Sequence, residues 1–220
     1  YVDPVLEITE ITDSVSKQPG GGKALLFENT GTAYPVLTNM LGSKKRILYA
    51  LGASSFEEIS ESMRELIREA TLQRGTLQEK LKAIPLLGRA ASWMPKRHKG
   101  IAPCQEVILH QPDMGRLPVL KCWPQDGGPF VTLPLVHTKD PVTGNRNVGM
   151  YRMQVFSENT TGMHWHRHKT GARQFSRCKD GKFPVAVALG GDPVYTYAAT
   201  APLPEGIDEY MLAGFLRNKP

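Results

Sequence analysis

Apolar residues recur at intervals of three and four in the segment that follows Ser55, which is the spacing of an amphipathic helix. Ser55 and Glu58 stand at the start of this pattern with the spacing of a capping box, in which each side chain accepts a backbone N–H of the first turn. The pattern therefore predicts a helix with one buried face. Its apolar positions are Phe56, Ile59, Met63, Leu66, Ile67 and Ala70.

The rest of the first half contains short apolar runs separated by breaks. Ala24–Phe27 and Arg46–Leu51 are bounded by glycines, as expected of buried strands. A second helix is predicted from Leu77 to Ile84, because a proline follows it. The stretch from Trp93 to Pro103 combines prolines, a glycine and a basic cluster, and is interpreted as a linker.

Prolines and glycines divide the second half into short segments. Phe130–Leu133, Val148–Phe156 and Val185–Leu189 are predicted strands, and glycine-rich turns lie between them. This spacing indicates a β-barrel or a β-sandwich. A short helix is predicted from Glu205 to Leu216. The chain is thus expected to have an α+β fold in two halves.

The composition is typical of a compact globular protein, since 40% of the 220 residues are hydrophobic and 22% are charged. No apolar run approaches the ~20 residues that cross a bilayer, and the chain does not start with a basic stretch leading into an apolar one. We therefore expect no transmembrane segment. The three widely spaced cysteines suit a reducing compartment, so a cytoplasmic protein is predicted.

The charge balance is basic, with 27 Lys and Arg against 21 Asp and Glu and a formal net charge of +6. The basic residues are dispersed, and no pattern of stacking aromatic residues runs through them, so a nucleic-acid partner is not expected. A solvated face or a site for an anionic cofactor explains the excess better.

The chemically suggestive residues all lie in the second half. His164, His166 and His168 alternate along the chain, and on a strand they would face one side and share a metal ion. Asn147 and Glu209 add the oxygen ligands that Mg²⁺ or Mn²⁺ prefers. Spacing leaves other interpretations open: surface histidines, a turn asparagine and a helix N-terminal charge. The residues by themselves indicate a metal-dependent, β-rich domain.

The sequence resembles the UbiD family of carboxy-lyases in an ordered series of motifs that extends over essentially the whole chain. These motifs are Leu6–Ile11, Pro35–Asn39, Cys122–Pro129, Asn147–Gln154, Met163–Trp165, Leu189–Pro193 and Asp208–Arg217. Because so many motifs occur in the same order, the resemblance is highly specific.

The resemblance implies the fold. Family members have an N-terminal α/β domain, a split β-barrel related to flavin reductases and a C-terminal α/β domain. The first is expected over residues 1–102 and the second over residues 103–220. The C-terminal domain is expected to be absent, together with the Gly-Pro-aromatic-Gly-acid segment that supplies the family's proton donor. The chain is therefore expected to be a fragment that is inactive by itself.

The resemblance also implies the site. Asn147, His164 and Glu209 match the positions that bind Mn²⁺, and the backbone of Ala199–Ala201 matches a stretch that holds K⁺. Arg152 matches the family's catalytic arginine, which pairs with active-site carboxylates. The positions implied to bind prenylated FMN, or FMN, are Met150, Tyr151, Arg152, His164, Trp165, His166, Lys169 and Thr170.

The function implied for the intact protein is reversible, non-oxidative decarboxylation of an aromatic acid. The leading substrate is a 3-polyprenyl-4-hydroxybenzoate of quinone biosynthesis, and a homo-oligomer is expected. Two other functions stay open: a non-catalytic flavin-binding or scaffold subunit of a multi-subunit carboxylase, and a split-barrel flavin reductase. No Gly-x-Gly-x-x-Gly fingerprint is present, which weighs against the reductase.

Overall fold

The computed structural model describes residues 1–71, 84–203 and 207–217. The chain forms two compact units, each assembled from two stretches of sequence. The first contains Tyr1–Ile47 and His98–Gly191, and the second contains Leu48–Arg97 and Asp192–Pro220. The predicted domains, residues 1–102 and 103–220, are each one continuous stretch of sequence. Their bounds stay a prediction.

The described residues contain both helices and strands. The α-helices are α1 (Glu7–Ser16), α2 (Lys44–Leu51), α3 (Phe56–Thr71), α4 (Ile84–Ser92), α5 (Thr170–Phe175), α6 (Pro193–Ala198) and α7 (Glu209–Arg217). Single 3₁₀ turns lie at Pro19–Gly21, Pro103–Gln105 and Met114–Arg116. The strands are β1 (Leu25–Phe27), β2 (Val36–Thr38), β3 (Phe130–Val131), β4 (Leu135–Lys139), β5 (Arg146–Met150), β6 (Met153–Ser157), β7 (Thr160–Met163) and β8 (Ala186–Ala188).

All of the strands belong to the first unit, and all of their pairings are antiparallel. β1 pairs with β2, while the other strands form sheets of order β3-β6-β7 and β5-β4-β8. The predicted mixture of helix and sheet is confirmed. None of these sheets closes into a barrel within the described ranges, so the split barrel stays a prediction.

The best-buried part of the first unit is the pair of β4 and β5. Leu135, Val136 and Val148 are at most 3% exposed. Since Leu135 and Val136 are consecutive and therefore point to opposite faces of β4, both faces of this strand are covered. β5 ends at Met150 and β6 begins at Met153, so the two residues between them connect the two three-stranded sheets. Both of these linking residues, Tyr151 and Arg152, are among the predicted site residues.

The second unit contains a core around Trp93, which is 4% exposed. The ring of Phe215 meets the Trp93 ring edge-on, with centroids 5.2 Å apart. A Cβ on Gly214 would lie 2.3 Å from the carbonyl oxygen of Trp93, so α7 approaches this backbone closely only because residue 214 is glycine. Arg217 pairs with Asp192, the residue that caps α6.

One predicted strand is wrong, because Arg46–Leu51 forms most of α2. Ser43 caps this helix: its hydroxyl accepts the Arg46 backbone N–H at 3.3 Å. The Arg46 guanidinium also donates to the carbonyl oxygens of Gly22 and Asn39, at 2.7 and 3.1 Å. These contacts fix the start of the helix, and a short apolar run by itself does not distinguish a helix from a strand.

The other predicted elements of the first half have different outcomes. The strand predicted at Ala24–Phe27 is confirmed as β1, but it is not buried, since Leu26 is 59% exposed. The capped helix after Ser55 is confirmed as α3. Ser55 accepts the Glu58 N–H at 3.1 Å, whereas the Glu58 carboxylate accepts the N–H of Ser54. Most of the predicted helix Leu77–Ile84 lies outside the described residues.

In the second half, the three predicted strand regions are confirmed as β3, β5 with β6, and β8. The final helix is also confirmed, with its start at Glu209. Throughout the described parts of the chain, no helix has both the length and the apolar character that a membrane span requires.

Candidate functional site

Two predicted site residues, Arg152 and His164, lie against one buried aromatic ring. The Cζ of Arg152 is 4.3 Å from the centroid of the Phe130 ring. The His164 ring is nearly perpendicular to the same ring, at 84°, with centroids 5.1 Å apart. Phe130 is only 4% exposed, so this ring is a fixed support for both side chains.

The backbone explains why Arg152 and His164 are neighbours. β6 and β7 are antiparallel, with Met153 opposite Met163. The His164 N–H continues this ladder, donating a 3.1 Å hydrogen bond to the Arg152 carbonyl oxygen. The two residues therefore leave the same end of one strand pair side by side.

The polar atoms of Arg152 and His164 are available to a ligand. Both residues are exposed. Within the described ranges, neither side chain has a hydrogen-bond or ion-pair partner, and their recorded contacts are those with Phe130. A guanidinium offers five N–H donors in a planar fork that suits a phosphate or a carboxylate. This part of the first unit can therefore bind an anion.

Tyr151 and Trp165 form an aromatic wall beside these residues. Tyr151 is 7% exposed, and its hydroxyl accepts a 3.4 Å hydrogen bond from the N–H of Gly171 in α5. Its ring meets the Trp165 ring edge-on, with centroids 6.1 Å apart. Trp165 also contacts Phe175 and Phe183. Tyr151, in the link between β5 and β6, is thus connected to α5 by its hydrogen bond with Gly171 and by the contact of Trp165 with Phe175.

Two glycines make this packing possible. A Cβ on Gly149 would lie 2.3 to 2.4 Å from atoms of the Tyr151 ring, so any other residue there must displace the ring. A Cβ on Gly171 would lie 3.0 Å from atoms of the Trp165 indole. The absence of a side chain at these positions decides how closely the aromatic wall packs.

Asn147 is a buried polar residue on β5, with 8% of its surface exposed. Its Nδ2 donates a 3.4 Å hydrogen bond to the hydroxyl of Thr138, which lies opposite it on β4. Within the described residues its Oδ1 atom accepts no recorded hydrogen bond. The asparagine is therefore oriented by its nitrogen while its oxygen remains available.

Glu209, the third predicted metal ligand, is half-buried and begins α7 in the second unit. Asn147 and His164 belong to the first unit. The described residues contain no group of three or more His, Cys, Asp or Glu side chains that could hold a metal ion. The predicted set includes only two residues of these types, His164 and Glu209, so this result does not test it. The three-ligand metal site therefore stays a prediction.

The three histidines would share a face only if they lay on a strand, and this condition is not met. β7 ends at Met163, so His164, His166 and His168 lie beyond the strand. The chain turns there, and the Lys169 N–H donates a 3.0 Å hydrogen bond to the His166 carbonyl oxygen. Alternation in the sequence aligns side chains only in an extended backbone. His164 alone of the three has a recorded contact with Phe130.

The remaining predicted cofactor residues lie at the ends of elements. Met150 is the last residue of β5, Lys169 is the residue before α5, and Thr170 is its first residue. His166 and Lys169 are exposed, while Met150 and Thr170 are half-buried. The predicted K⁺ stretch, Ala199–Ala201, follows α6 in the second unit.

Sequence reasoning missed two buried residues of the first unit. The sequence pattern places Phe130 on a strand and assigns it no role in the site. Its position directly after the family motif Cys122–Pro129 is the signal that points to such a role. Asp140, 5% exposed, accepts hydrogen bonds from the N–H groups of Val142 and Thr143 and pairs with Arg177. Burial opposes its ionisation, but these donors hold the pKa of the Asp140 carboxyl below its usual value.

A cavity of about 310 Å³ lies within the second unit, lined partly by Trp93, Arg89 and Phe215. Two of its charged residues already have partners: Glu58 caps α3, and Arg217 pairs with Asp192. Arg152 and His164, whose side chains have no hydrogen-bond partner in the described part of the chain, are therefore a stronger candidate for ligand binding than this cavity.

Comparison with known proteins identifies two domains. Residues 96–220 match the model of the UbiD 3-octaprenyl-4-hydroxybenzoate carboxy-lyase Rift-related domain, and residues 1–66 match the N-terminal domain of the same carboxy-lyase. An uncharacterized protein of Archaeoglobus fulgidus is 47% identical over 222 residues, covering 99% of this chain and 44% of the relative. One from Aquifex aeolicus is 45% identical and covers 100% of this chain and 45% of the relative.

Solved structures have the same fold. The UbiD-class enzyme HmfF from Pelotomaculum thermopropionicum, in complex with prFMN, has a TM-score of 0.76 at 24% identity, over 100% of this chain and 46% of that one. The vanillic acid decarboxylase of Sedimentibacter hydroxybenzoicus has a TM-score of 0.77 at 24% identity, over 99% and 44%. The chain spans less than half the length of the proteins it matches. Because the two family models together match residues 1–66 and 96–220, the chain belongs to the UbiD family of carboxy-lyases.

Proposed function

We propose that this chain is the cofactor-binding part of a decarboxylase that uses prenylated FMN, or FMN, and Mn²⁺ to remove carbon dioxide reversibly from an aromatic acid. The observation that carries the proposal is the pair of Arg152 and His164 on Phe130, which are exposed and whose side-chain nitrogens have no hydrogen-bond partner among the described residues. The complexes of HmfF with prFMN and with FMN support a flavin. The proposal includes a split β-barrel over residues 103–220 and an α/β domain over residues 1–102.

Arg152 is the proposed catalytic residue. Its fork of donors would bind and orient anionic oxygens of the cofactor or the substrate carboxylate, which a point charge does less well. The wall of Tyr151 and Trp165 would exclude water from one side of the site, since Tyr151 is buried. The other residues proposed to contact the flavin are Met150, His164, His166, Lys169 and Thr170. Bound prenylated FMN supplies an electron sink for the carbon that loses its carboxyl group.

Asn147, His164 and Glu209 are the proposed Mn²⁺ ligands. The residues fit this ion: an amide oxygen and an imidazole for which the described residues provide no hydrogen-bond partner, and a carboxylate. The carboxylate of Glu209 gives this set one negative charge, which would repel a cofactor phosphate. A hard cation bound between them would offset that repulsion. K⁺ beside the backbone of Ala199–Ala201 is a further part of the proposal.

The proposed substrate class is a hydroxybenzoate, with a 3-polyprenyl-4-hydroxybenzoate of quinone biosynthesis first. The matched family is described by a prenylated substrate of this kind, and the solved relatives include decarboxylases of vanillic acid and of 3,4-dihydroxybenzoic acid. We also propose that the native protein containing this chain is a homo-oligomer.

A binding and turnover experiment tests the proposal. FMN titration with the native protein, followed by flavin fluorescence, should show saturable binding that Arg152→Ala weakens and Arg116→Ala leaves unchanged. Arg116 is a matched control because it is an exposed arginine of the same unit. Carbon dioxide release from 3-prenyl-4-hydroxybenzoate, vanillate and 3,4-dihydroxybenzoate then identifies the substrate.

The same protein distinguishes the other functions. Bleaching of the bound flavin by NAD(P)H would show a flavin reductase. Tight flavin binding without turnover of any acid, with prenylated FMN and Mn²⁺ supplied, would favour a scaffold subunit. Absence of flavin binding by the native protein would overturn the proposal.

A further inference from the structure

Phe130 is fixed at its backbone and buried at its side chain. Its backbone N–H donates a 2.7 Å hydrogen bond to the Leu120 carbonyl oxygen, and its position on β3 pairs it with Gln154 on β6. The residue is 4% exposed. The ring is thus anchored by the sheet that contains β6 and β7, the strands from which Arg152 and His164 emerge.

The ring contacts Arg152 without using any of the arginine's hydrogen-bond donors. At 4.3 Å from the ring centroid, the guanidinium is attracted by the negative face of the aromatic ring, a cation–π interaction. An acidic partner would hold the arginine by occupying its N–H groups and neutralising its charge. The ring orders the cation and leaves both its donors and its charge available to a ligand.

The contact with His164 has the same property. The two rings meet at 84°, the edge-to-face arrangement that aromatic pairs prefer. This contact does not require either imidazole nitrogen as a hydrogen-bond donor. Within the described residues His164 has no hydrogen-bond partner for its ring. One residue thus supports two neighbouring side chains and spares the polar atoms of both.

We propose that Phe130 is a positioning residue that presents Arg152 and His164 to an anionic ligand. The identity of the ligand in this inference rests on the proposed function. The restricted motion of the two side chains rests on the geometry alone. It predicts that the negative face of the ring matters, and not only its volume.

Stepwise fluorination of the Phe130 ring in the native protein tests this prediction, because fluorine withdraws the negative charge of the ring face and changes its volume little. The dissociation constant for FMN, measured by fluorescence titration, should rise with each added fluorine and reach about five- to tenfold for the pentafluoro ring. The same series at Phe156, an exposed phenylalanine, is the control. An FMN affinity that stays constant along the Phe130 series would overturn the proposal.

A second measurement works without any cofactor. The ¹⁵Nε relaxation of Arg152 should report an ordered side chain in the unsubstituted protein and a mobile one after Phe130→Leu or full fluorination, while Arg116 stays mobile in all. If Arg152 is as mobile as Arg116 from the start, Phe130 does not position it. If Arg152 is ordered by the ring but the protein fails to bind FMN, the proposed function fails and the positioning stands.

Discussion

The backbone N–H of His164 donates a hydrogen bond to the carbonyl oxygen of Arg152, with 3.1 Å between the two atoms. This bond joins the residue proposed for catalysis to a residue proposed for metal binding. Because it extends the ladder of β6 and β7, the spacing of the two side chains is set by sheet geometry and not by their own preferences. A ligand that bridges them would therefore meet a site that is already formed in this unit.

Replacement of Arg152 by lysine should separate binding from chemistry. A single ammonium keeps the charge but loses the bidentate fork, so FMN should remain bound while decarboxylation falls by at least about tenfold. Rates of cofactor-dependent hydrogen–deuterium exchange at the substrate, measured with prenylated FMN in the native protein, check this expectation. Arg116→Lys is the control, and near-normal exchange by Arg152→Lys would assign the arginine a structural role.

Glu209→Gln should lower Mn²⁺ content and cofactor retention together. The substitution keeps the size of the side chain and removes the charge, so a hard divalent cation loses its strongest ligand. Metal analysis of the purified native protein beside the flavin absorbance gives both quantities. Glu106→Gln, an exposed glutamate of the first unit, should change neither. Unchanged Mn²⁺ stoichiometry in the Glu209 variant would remove this residue from the ligand set.

Gly149→Ala should destabilise the first unit by about 1–3 kcal/mol, the usual cost of overpacking. The added Cβ would lie 2.3 Å from the Tyr151 ring, and this ring cannot move freely because it is 7% exposed and bonded to Gly171. Urea unfolding followed by circular dichroism measures the change.

Gly88→Ala is the matched control for that substitution. Gly88 lies within α4, and outside the helix's own backbone no atom of the described residues lies within 4 Å of a Cβ added there. Alanine is the better helix former, so this variant should gain about 0.5–1 kcal/mol. Equal effects of the two substitutions would contradict the close packing of Tyr151 on Gly149.

Asp140 should contribute stability that disappears in acid. Its folded pKa lies below the usual value of 3.8, so the ionised form is favoured by folding. The contribution is fully present above the unfolded pKa and is lost as the pH falls through the lower folded pKa. Asp140→Asn should therefore be less stable than the unsubstituted protein at pH 7, and the difference should shrink in strong acid.

Denaturant unfolding at a series of pH values checks the Asp140 prediction. Asp180→Asn serves as a control, because Asp180 lies in an exposed turn and has no recorded ion pair within the described residues. A stability difference for Asp140→Asn that stays constant from pH 7 to strong acid would show that its charge is not responsible.

The sequence by itself determined the features that depend on neighbours along the chain. α3 follows from its apolar spacing and from Ser55, whose hydroxyl caps the helix within a single turn. In the second half, β3, β5, β6 and β8 follow from short apolar segments between turns, whereas β4 and β7 lie outside the predicted segments. The family motifs identify the chain because each is a local string of residues.

The tertiary structure alone decided the features that depend on distant residues. Arg46–Leu51 became a helix, and the Arg46 guanidinium at its start donates to the distant carbonyl oxygen of Gly22, a contact that an apolar run compatible with either state does not reveal. The histidines after Met163 lost their common face because β7 ends there. The support of Arg152 and His164 by Phe130 depends on the pairing of β3, β6 and β7, and such pairing between strands is not encoded in the spacing of any one segment.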